Sequence, residues 1–263
     1  MASKADRHVL YEKSVQDVAE EYRFVSKTFR KLRGRPPRRM REDFCGTASM
    51  CCEWVRRHKN NSAIGVDIDP EVLAWGRRHN LSRLKPDARV RVSLLQDDVR
   101  KVDTGEKVDV VLAMNFSYQL FMTRKKLGDY FRKARKALAR DGILFIDAFG
   151  GYDTYREIKE KRKYKGFKYI WEHARYNPID GRMLCHIHFA FPDGSKLKKA
   201  FTYEWRMWTL PELRELLDEA GFSKVSVYWE ETDPETGEGS GVYSPAKVGD
   251  ADPGWICFLI AEK

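Results

Sequence analysis

The segment Arg41-Glu42-Asp43-Phe44-Cys45-Gly46-Thr47-Ala48 decides the fold of this chain of 263 residues. It ends in a turn of small residues and precedes a stretch whose apolar side chains recur at helical spacing. Roughly 25 residues after Glu42, Asp67 closes the apolar run that begins at Ala63. A small-residue turn, a helix N-terminus and an acid at the end of the next strand are the layout of a nucleoside-cofactor site, because the acid can accept hydrogen bonds from both ribose hydroxyls. The pattern therefore predicts such a site within residues 41–67.

Beyond this segment, short apolar runs alternate with helical stretches. The sequence predicts strands at 63–67, 90–95, 108–114, 143–149, 225–229 and 255–261. It predicts helices from Pro70, over Arg124–Arg140 and from Leu213 to Gly221. Because near-continuous apolar strands alternate with helices, we expect a parallel sheet that is covered on both faces. With the strand that leads into the turn of residues 41–48, the sheet has seven strands, and right-handed crossovers favour an α/β fold with a doubly wound, Rossmann-like arrangement.

The regions outside this core have different patterns. Apolar residues at intervals of three or four predict an N-terminal amphipathic helix over 13–32. Residues 153–165 are charged and are predicted to be helical, and the three segments after them are predicted to form an antiparallel β-meander joined by turn sequences. The chain is therefore predicted to divide into an N-terminal helical cover (1–39), a cofactor-binding α/β core (40–149), an inserted β-rich lid (150–208) and the C-terminal part of the core (209–263).

Composition excludes several classes of protein. Hydrophobic residues make up 42% of the chain and its mean hydropathy is −0.61, which is typical of globular proteins rather than disordered ones. No apolar run has the length that a membrane-spanning helix needs, and the N-terminus has no apolar stretch of the secretory type. The five cysteines include no CxxC pair and supply no zinc-type spacing with histidine. We therefore expect a cytoplasmic protein without a metal site.

Four motifs in order resemble those of the class I S-adenosylmethionine (SAM)-dependent methyltransferases. The first motif of that family is an acid followed by Gly-x-Gly-x-Gly, and this chain has at the four positions Glu42, Phe44, Gly46 and Ala48. The second, third and fourth motifs correspond in order to Val66–Asp69, Gln96–Val99 and Val110–Ser117. The resemblance extends well over residues 40–149. It implies SAM as the cofactor and methyl transfer as the activity.

The resemblance also implies a set of cofactor contacts, all at the ends of predicted strands. They are Glu42, Phe44, Cys45, Gly46, Asp67, Ile68, Asp97, Asp98, Val99 and Asn115. In this set Asp67 is the ribose ligand, Asp98 accepts a hydrogen bond from the adenine amino group, and Val99 donates a backbone N–H. Phe44 departs from the family pattern, because a glycine at its position tolerates unusual dihedral angles and leaves room for the ligand. Two alternatives stay open: the Phe44 ring walls the cofactor in a variant turn, or SAM binding is lost.

The acceptor side of the site is less specific in sequence. Methyl transfer from a sulfonium is an in-line displacement, so the protein mainly aligns the reactants and excludes water. A nitrogen nucleophile needs only to arrive neutral, so a dedicated base is optional. Candidates for orienting the acceptor are Asn115, Ser117 and Tyr118, which end or follow the fourth motif. Candidates for contacting the acceptor are Tyr11, Tyr22, Trp171 and Arg206.

Charge leaves more than one acceptor class open. The formal net charge is +10, and eight basic residues lie between Lys27 and Arg41. A basic rim favours an anionic small molecule as the acceptor, with nitrogen or oxygen as the nucleophile. A basic proteome explains the surplus of positive charge equally well. An RNA or protein acceptor is a second hypothesis, and a non-catalytic SAM-binding protein is a third. The compact size and the meander lid favour the small molecule, and we expect no membrane partner.

Overall fold

The strand Val108–Ala113 is buried along its whole length because its side chains alternate between two apolar cores. Val110 and Leu112 pack into one core, whereas Val111 and Ala113 pack into the other. A strand that is apolar on both faces requires helices on both sides of its sheet. The computed structural model, which describes residues 1–237 and 239–263, has this arrangement. It confirms the doubly wound α/β class, with a large, mostly parallel central sheet.

The described residues form two sheets. The strands are β1 (Arg39–Asp43), β2 (Ser62–Asp67), β3 (Val92–Gln96), β4 (Val108–Ala113), β5 (Leu138–Gly150), β6 (Ile158–Tyr164), β7 (Phe167–Tyr176), β8 (Arg182–Ala190), β9 (Lys196–Arg206), β10 (Lys224–Thr232), β11 (Gly239–Ala246) and β12 (Trp255–Glu262). The central sheet has the order β11-β10-β12-β5-β4-β1-β2-β3. From β3 to β5 all neighbours pair in parallel, whereas β12, β10 and β11 continue the sheet antiparallel.

Helices cover both faces of the central sheet. They are α1 (Arg7–Ser14), α2 (Val18–Arg33), α3 (Ser49–Arg57), α4 (Pro70–His79), α5 (Pro86–Arg89), α6 (Arg124–Ala137) and α7 (Leu210–Glu219). α2 and α3 pack into the same core as Val110, and α6 and α7 pack into the core on the opposite face. None of the helices in the described part of the chain combines the length and the apolar character that a membrane crossing requires.

The N-terminal segment contains two helices rather than the single helix predicted over 13–32. The Asp6 carboxylate caps α1, and the Asp17 carboxylate accepts from Glu20 N–H and begins α2 as a separate helix. The Glu12 carboxylate, on α1, accepts hydrogen bonds from Thr47 Oγ1 at 2.6 Å and from Asn80 Nδ2 at 2.7 Å. α1 therefore packs directly on the turn after β1 and on the end of α4.

The inserted sheet has four strands in the order β6-β7-β8-β9, so the prediction of three strands after a charged helix was wrong. Residues 158–164 form the edge strand β6, which pairs antiparallel with β7. Their side chains are largely solvent-exposed, and the run Lys-Glu-Lys-Arg-Lys has no apolar periodicity that could distinguish a strand from a helix. Charged residues at a sheet edge also oppose pairing with other chains.

The central sheet has eight strands rather than the predicted seven. The additional strand is β11, which lies in a segment where no strand was predicted. It pairs antiparallel with β10 to form a hairpin at the edge of the sheet. Glycine and proline are common in β11 and are rare in strand interiors, so the sequence did not predict it.

A buried ion pair lies beneath the turn that follows β1. Arg41 and Asp43 are each 1% exposed, and Arg41 Nε donates to Asp43 Oδ1 at 2.6 Å. The Tyr130 hydroxyl, on α6, donates to the other carboxylate oxygen at 3.0 Å. Because both charges are paired away from water, loss of one partner leaves the other without compensation. This network fixes the backbone immediately before Phe44.

We expect Asp43→Asn to lower the free energy of unfolding by about 3–5 kcal/mol, because it leaves the Arg41 guanidinium buried and without its counter-charge. Tyr130→Phe removes one hydrogen bond to a charged group and should cost about 1–3 kcal/mol. The control is Lys125→Ala, which breaks an exposed pair with Asp129 and should cost below about 1 kcal/mol. Urea unfolding followed by tryptophan fluorescence measures all three variants, and equal midpoints for Asp43→Asn and Lys125→Ala would contradict the assignment.

Candidate functional site

One edge of the central sheet carries the residues predicted to contact the cofactor. β1, β2, β3 and β4 are parallel neighbours, so their carboxyl ends meet at the same edge. The predicted residues follow these ends as four groups: Glu42–Gly46, Asp67–Ile68, Asp97–Val99 and Asn115. Ligands of open α/β sheets bind in this position, at the point where the strand order reverses between β1 and β4. The structure therefore brings the predicted cofactor residues together at one edge.

The turn after β1 has a left-handed backbone at Phe44, Gly46 and Ala48, with φ angles of 59°, 52° and 58°. For Phe44 and Ala48 this conformation costs about 1–2 kcal/mol each relative to the right-handed region. The Phe44 ring packs against Phe121 and Tyr130, with centroid distances of 6.0 and 5.6 Å. Thus Phe44 adopts the conformation that glycine would favour and directs its ring into an aromatic wall.

The space beside Gly46 is open, since a Cβ atom built on it would meet no atom within 4 Å. In contrast, a Cβ atom on Gly76 of α4 would lie 2.5 Å from the Thr47 carbonyl oxygen. The helix α4 therefore approaches the turn closely, and Asn80 Nδ2 donates to the same carbonyl at 3.0 Å. The turn is therefore fixed on the side of α4 and open on the side of Gly46.

The Asp67 carboxylate, at the end of β2, connects two of these strand ends. Its Oδ2 accepts from Gly46 N–H at 2.8 Å, and its Oδ1 accepts from Asp69 N–H at 3.0 Å. Burial raises the pKa of this carboxyl, although both backbone hydrogen bonds lower it. Each oxygen has capacity for a further hydrogen bond, because a carboxylate oxygen can accept two. The neighbouring Ile68 is 69% exposed.

The third group of predicted residues follows β3. Asp98 binds Arg100 through both carboxylate oxygens, at 3.0 and 2.6 Å, and this ion pair lowers the pKa of Asp98. Asp97 is exposed and caps the Asp98 N–H with its Oδ1. The Val99 side chain is buried, and its carbonyl accepts from Arg41. The Arg100 guanidinium lies 5.7 Å from the centre of the Phe121 ring, next to Phe44.

At the end of β4, Asn115 and Phe116 are two consecutive left-handed residues, both with φ of 57°. Their N–H groups donate to the two carboxylate oxygens of Asp147, on β5, at 2.8 and 2.9 Å. Burial raises the pKa of Asp147 to about 7 despite these hydrogen bonds. A carboxylate from the neighbouring strand thus holds the backbone that the fourth motif presents.

Glu42 is a second buried carboxyl at this edge. Its Oε2 accepts from the Cys51 N–H at 3.2 Å and from the Cys51 thiol at 3.0 Å. Burial raises the pKa of Glu42 to about 7, and the like charges of Asp67 and Asp43 contribute. Cys45 is also buried, and its N–H donates to the Val66 carbonyl.

A cavity of about 1030 Å³ adjoins this edge at Met114, Asn115 and Phe116. Its walls come from α1, α2, the inserted sheet and the hairpin β10–β11, and twelve of its lining residues are aromatic. The inserted sheet contributes Tyr169, Trp171, Tyr203 and Trp205, and the central sheet contributes Phe149 and Trp255 among others. The volume is that of a typical small-molecule site.

The described lining of this cavity is more acidic than basic. It includes eight carboxyl groups, on Asp17, Glu20, Glu21, Asp147, Asp153, Glu160, Glu230 and Glu231. It includes four cationic side chains, on Arg23, Lys27, Lys31 and Arg162, and all four are exposed. Burial raises the pKa of Glu21 to about 8, and repulsion from Glu42, Asp147 and Asp17 adds to the effect. The interior of the cavity is therefore aromatic and contains buried or partly buried carboxyls, whereas exposed carboxyls and exposed cations both occur in its lining.

Of the predicted acceptor contacts, Tyr11 and Trp171 line this cavity, whereas Tyr22 and Arg206 lie elsewhere. The Tyr22 ring packs on Trp54 beneath α2, because it faces the sheet rather than the inserted strands. The Arg206 guanidinium stacks 3.8 Å from the centre of the Trp208 ring and binds Glu212, beside a separate cavity. Neither residue is part of the described lining of this cavity.

Among the three residues predicted to orient the acceptor, Asn115 lines the cavity. Tyr118 is fully buried in the core beside Phe131, because the short 3-10 helix after β4 turns it inward. The Ser117 hydroxyl donates to the Met114 carbonyl at 2.8 Å and so serves the local turn. Neither Ser117 nor Tyr118 is part of the described cavity lining.

Sequence reasoning missed Glu21, Asp147 and His173. Glu21 is one of several charged residues on an amphipathic helix, and Asp147 lies inside an apolar strand, where an isolated acid is unusual and is itself a signal. His173 is 9% exposed on β7, lines the cavity, and has a buried Nδ1 without a hydrogen-bond partner in the described structure. Two further histidines of the inserted sheet are hydrogen-bonded within it: His186 contacts Thr202 and His188 contacts Glu172. No group of three metal-type ligands occurs within the described residues.

We expect the ligand-free protein to lose stability as the pH rises from 7 to 8.5. The carboxyls of Glu21, Glu42 and Asp147 have raised pKa values, so the folded state binds protons that the unfolded state has released. The melting temperature should fall on the order of 5 °C over this range. In Glu21→Gln the melting temperature should fall less steeply with pH than in the native chain. In Glu219→Gln, at an exposed ion pair, it should fall as in the native chain. Identical slopes for Glu21→Gln and the native chain in differential scanning fluorimetry would refute this account.

Comparisons with known proteins agree with this architecture. Residues 44–142 match the family model described as a methyltransferase domain. No curated protein sequence matches the chain significantly. Among solved structures, a SAM-dependent methyltransferase from Clostridium acetobutylicum is similar with a TM-score of 0.70 at 15% identity, over 97% of this chain and 96% of that one.

Two further similar structures are those of methyltransferases that act on sugars. A SAM-bound amino pentose methyltransferase of calicheamicin biosynthesis from Micromonospora echinaspora has a TM-score of 0.67 at 16% identity, covering 97% of this chain and 95% of its own. A sugar N-methyltransferase from a Streptoalloteichus species has a TM-score of 0.64 at 18% identity, covering 98% and 93%. These likenesses establish the fold. Together with the match of residues 44–142 to a methyltransferase domain, they make the chain similar in architecture to class I methyltransferases that use S-adenosylmethionine.

Proposed function

We propose that this enzyme transfers a methyl group from SAM to the amine nitrogen of a small molecule. The observation that carries the proposal is the cavity at Asn115, which is aromatic-walled, lined on one side by the inserted sheet and richer in carboxyls than in cations. Aromatic faces and carboxylates both favour cationic groups, and an amine is cationic in water. The anionic acceptor expected from the net charge is less compatible with this lining.

The residues at the sheet edge fit the cofactor. SAM supplies an activated methyl group on a positively charged sulfur. The Asp67 carboxylate has free acceptor capacity for ribose hydroxyls, and the open space at Gly46 admits a ligand against the backbone. The carboxyls of Glu42 and Asp147 supply negative charge at the same edge. Phe44 fits the first of its two alternatives, since its ring lies in the wall rather than in the open space.

The acceptor nitrogen must approach the methyl group in line and without competing water. Met114, Asn115 and Phe116 are the lining residues that follow β4, so they border the cofactor edge and the cavity together. Asp147 holds this backbone through two hydrogen bonds, which fixes the boundary between the two ligands. The aromatic walls exclude water and orient a planar or cationic acceptor by stacking.

The activities of similar proteins support an amine acceptor. These proteins include an amino pentose methyltransferase, a sugar N-methyltransferase and a glycopeptide N-methyltransferase. Their identity to this chain is 15–18%, so the support concerns the type of chemistry that the fold accommodates. An amino group on a sugar or a comparable scaffold is the acceptor that we propose to screen first.

The basic run between Lys27 and Arg41 is weaker support for a nucleic-acid acceptor than the sequence alone indicates, because some of its charges are paired within the fold. Arg33 binds Glu262 at 2.6 Å, and Arg35 bridges Asp109 and Asp141 at 2.9 and 2.8 Å. Since their charges are neutralised within the fold, they contribute little attraction for phosphates. Arg33 and Arg35 therefore hold the end of α2 and the following linker against the sheet.

Asp67→Ala should abolish detectable SAM binding, because it removes the proposed ribose acceptor and the partner of Gly46 N–H. Isothermal titration calorimetry with S-adenosylhomocysteine measures the loss, which should be at least about tenfold in Kd. The control is Asp129→Ala, on the exposed face of α6, which should bind like the native chain. Unchanged binding in Asp67→Ala would show that the motif alignment is wrong.

The acceptor itself can be found by a screen that detects S-adenosylhomocysteine. Amino sugars and aryl-alkyl amines should be methylated, whereas their isosteric alcohols should react slower by a factor of roughly 100 or more, because a hydroxyl is not a nucleophile in its neutral form. Mass spectrometry of the product locates the methyl group. Activity confined to alcohols or carboxylates would overturn the amine assignment, and steep salt dependence with RNA would favour the nucleic-acid hypothesis.

A further inference from the structure

We propose that Glu21 binds the acceptor's amino group and takes its proton before methyl transfer. This assignment rests on the proposed function, since it specifies how an amine becomes a nucleophile in the cavity. It adds a catalytic residue on α2, outside all four motifs of the methyltransferase resemblance. Glu21 is partly buried and lines the cavity together with Asn115 and Asp147.

The Glu21 carboxyl has no partner within the described structure: no donor lies within hydrogen-bond distance and no cation forms an ion pair with it. Its neighbour Arg23 is engaged by Glu20 at 2.6 Å. A partly buried carboxylate that has no protein partner gains free energy when it binds a proton or a cation. Glu21 is therefore poised to bind one.

The ionisable groups around Glu21 increase this tendency. From β1, β5 and its own helix, the carboxyls of Glu42, Asp147 and Asp17 face it and repel a negative charge. From α1, the Tyr11 hydroxyl is close enough to interact with both Glu21 and Asp147, and its own pKa is raised, so it stays neutral. No cationic group contributes to the pKa of Glu21. An incoming ammonium group would be the missing positive charge.

Glu21 differs in this respect from the other two buried carboxyls near Asn115. Asp147 accepts two backbone N–H groups, and Glu42 accepts the N–H and the thiol of Cys51. Both are committed to holding the backbone of the site. Glu21 is the carboxyl of the three that keeps both oxygens available for a ligand.

The proton balance follows from this geometry. One N–H bond of the ammonium group breaks, its proton bonds to a carboxylate oxygen of Glu21, and its electron pair stays on nitrogen as the nucleophilic lone pair. That pair forms the bond to the transferred methyl group, while the electrons of the methyl–sulfur bond remain on sulfur. The bound amine and Glu21 share one proton. Because the free carboxyl has a pKa of about 8 and is mostly protonated at pH 7, binding an ammonium ion from solution must release close to one proton.

Calorimetry with a simple probe tests this release. Benzylamine, which joins an ammonium group to an aromatic ring, is titrated at pH 7 into protein saturated with S-adenosylhomocysteine, in two buffers of different ionisation enthalpy. The native chain should release close to one proton per benzylamine, whereas benzyl alcohol should release none. Glu21→Gln should lose the proton release and about tenfold or more in benzylamine affinity, because an amide neither titrates nor pairs with the cation.

Three controls make the outcome decisive. Glu21→Gln should bind S-adenosylhomocysteine like the native chain, which shows that it is folded. Glu21→Asp should keep the proton release with weaker binding, because it retains a carboxyl on a shorter side chain. Glu219→Gln, at an exposed ion pair of α7, should behave like the native chain in every titration.

The failure of this inference is distinguishable from the failure of the proposed function. If amines are methylated but Glu21→Gln releases protons like the native chain, or if benzylamine does not bind at millimolar concentration, Glu21 is not the proton acceptor. If S-adenosylhomocysteine does not bind the native chain, or if the screen yields only alcohols, the proposed function fails and the assignment of Glu21 fails with it.

Discussion

The hydrogen bonds from Asn115 and Phe116 to the Asp147 carboxylate hold the site together. They stabilise two successive left-handed residues at the end of β4, a conformation that asparagine tolerates but phenylalanine does not favour. The backbone fixed in this way belongs to the sheet edge on one side and to the aromatic cavity on the other. Burial opposes the ionisation of this carboxyl, whereas the two hydrogen bonds that order the turn favour its charged form.

The alternation of apolar strands and helices was sufficient to predict the central sheet, because burial on both faces leaves a signal in every residue of strands such as β4. The two strands that were missed have no such signal. β6 is a charged edge strand, and β11 contains glycine and proline, so only their pairing partners define them. Long-range pairing has no local periodicity, and a single sequence does not contain it in readable form.

The residues of the candidate site likewise differ in whether the sequence could predict them. Motif residues at strand ends could be placed from spacing, because parallel strands deliver their carboxyl ends to one edge. Glu21 could not, since on an amphipathic helix it is one of several charged residues, and only the packing of α1, β1 and β5 around it withdraws it from water. Tyr22, next to it in sequence, illustrates the difficulty: a rotation of about 100° along the helix separates a cavity residue from a core residue.

The hairpin formed by β10 and β11 has a consequence for how acceptor range could diverge among related enzymes. It contributes Glu230, Tyr243 and Ser244 to the outer wall of the cavity, yet it lies at the far end of the sheet from β1, β2 and β3. Insertions or substitutions there would change the size and polarity of the chamber without altering the strand ends that bind the cofactor. Directed evolution of new acceptors should therefore begin at this hairpin, where sequence change is least coupled to cofactor affinity.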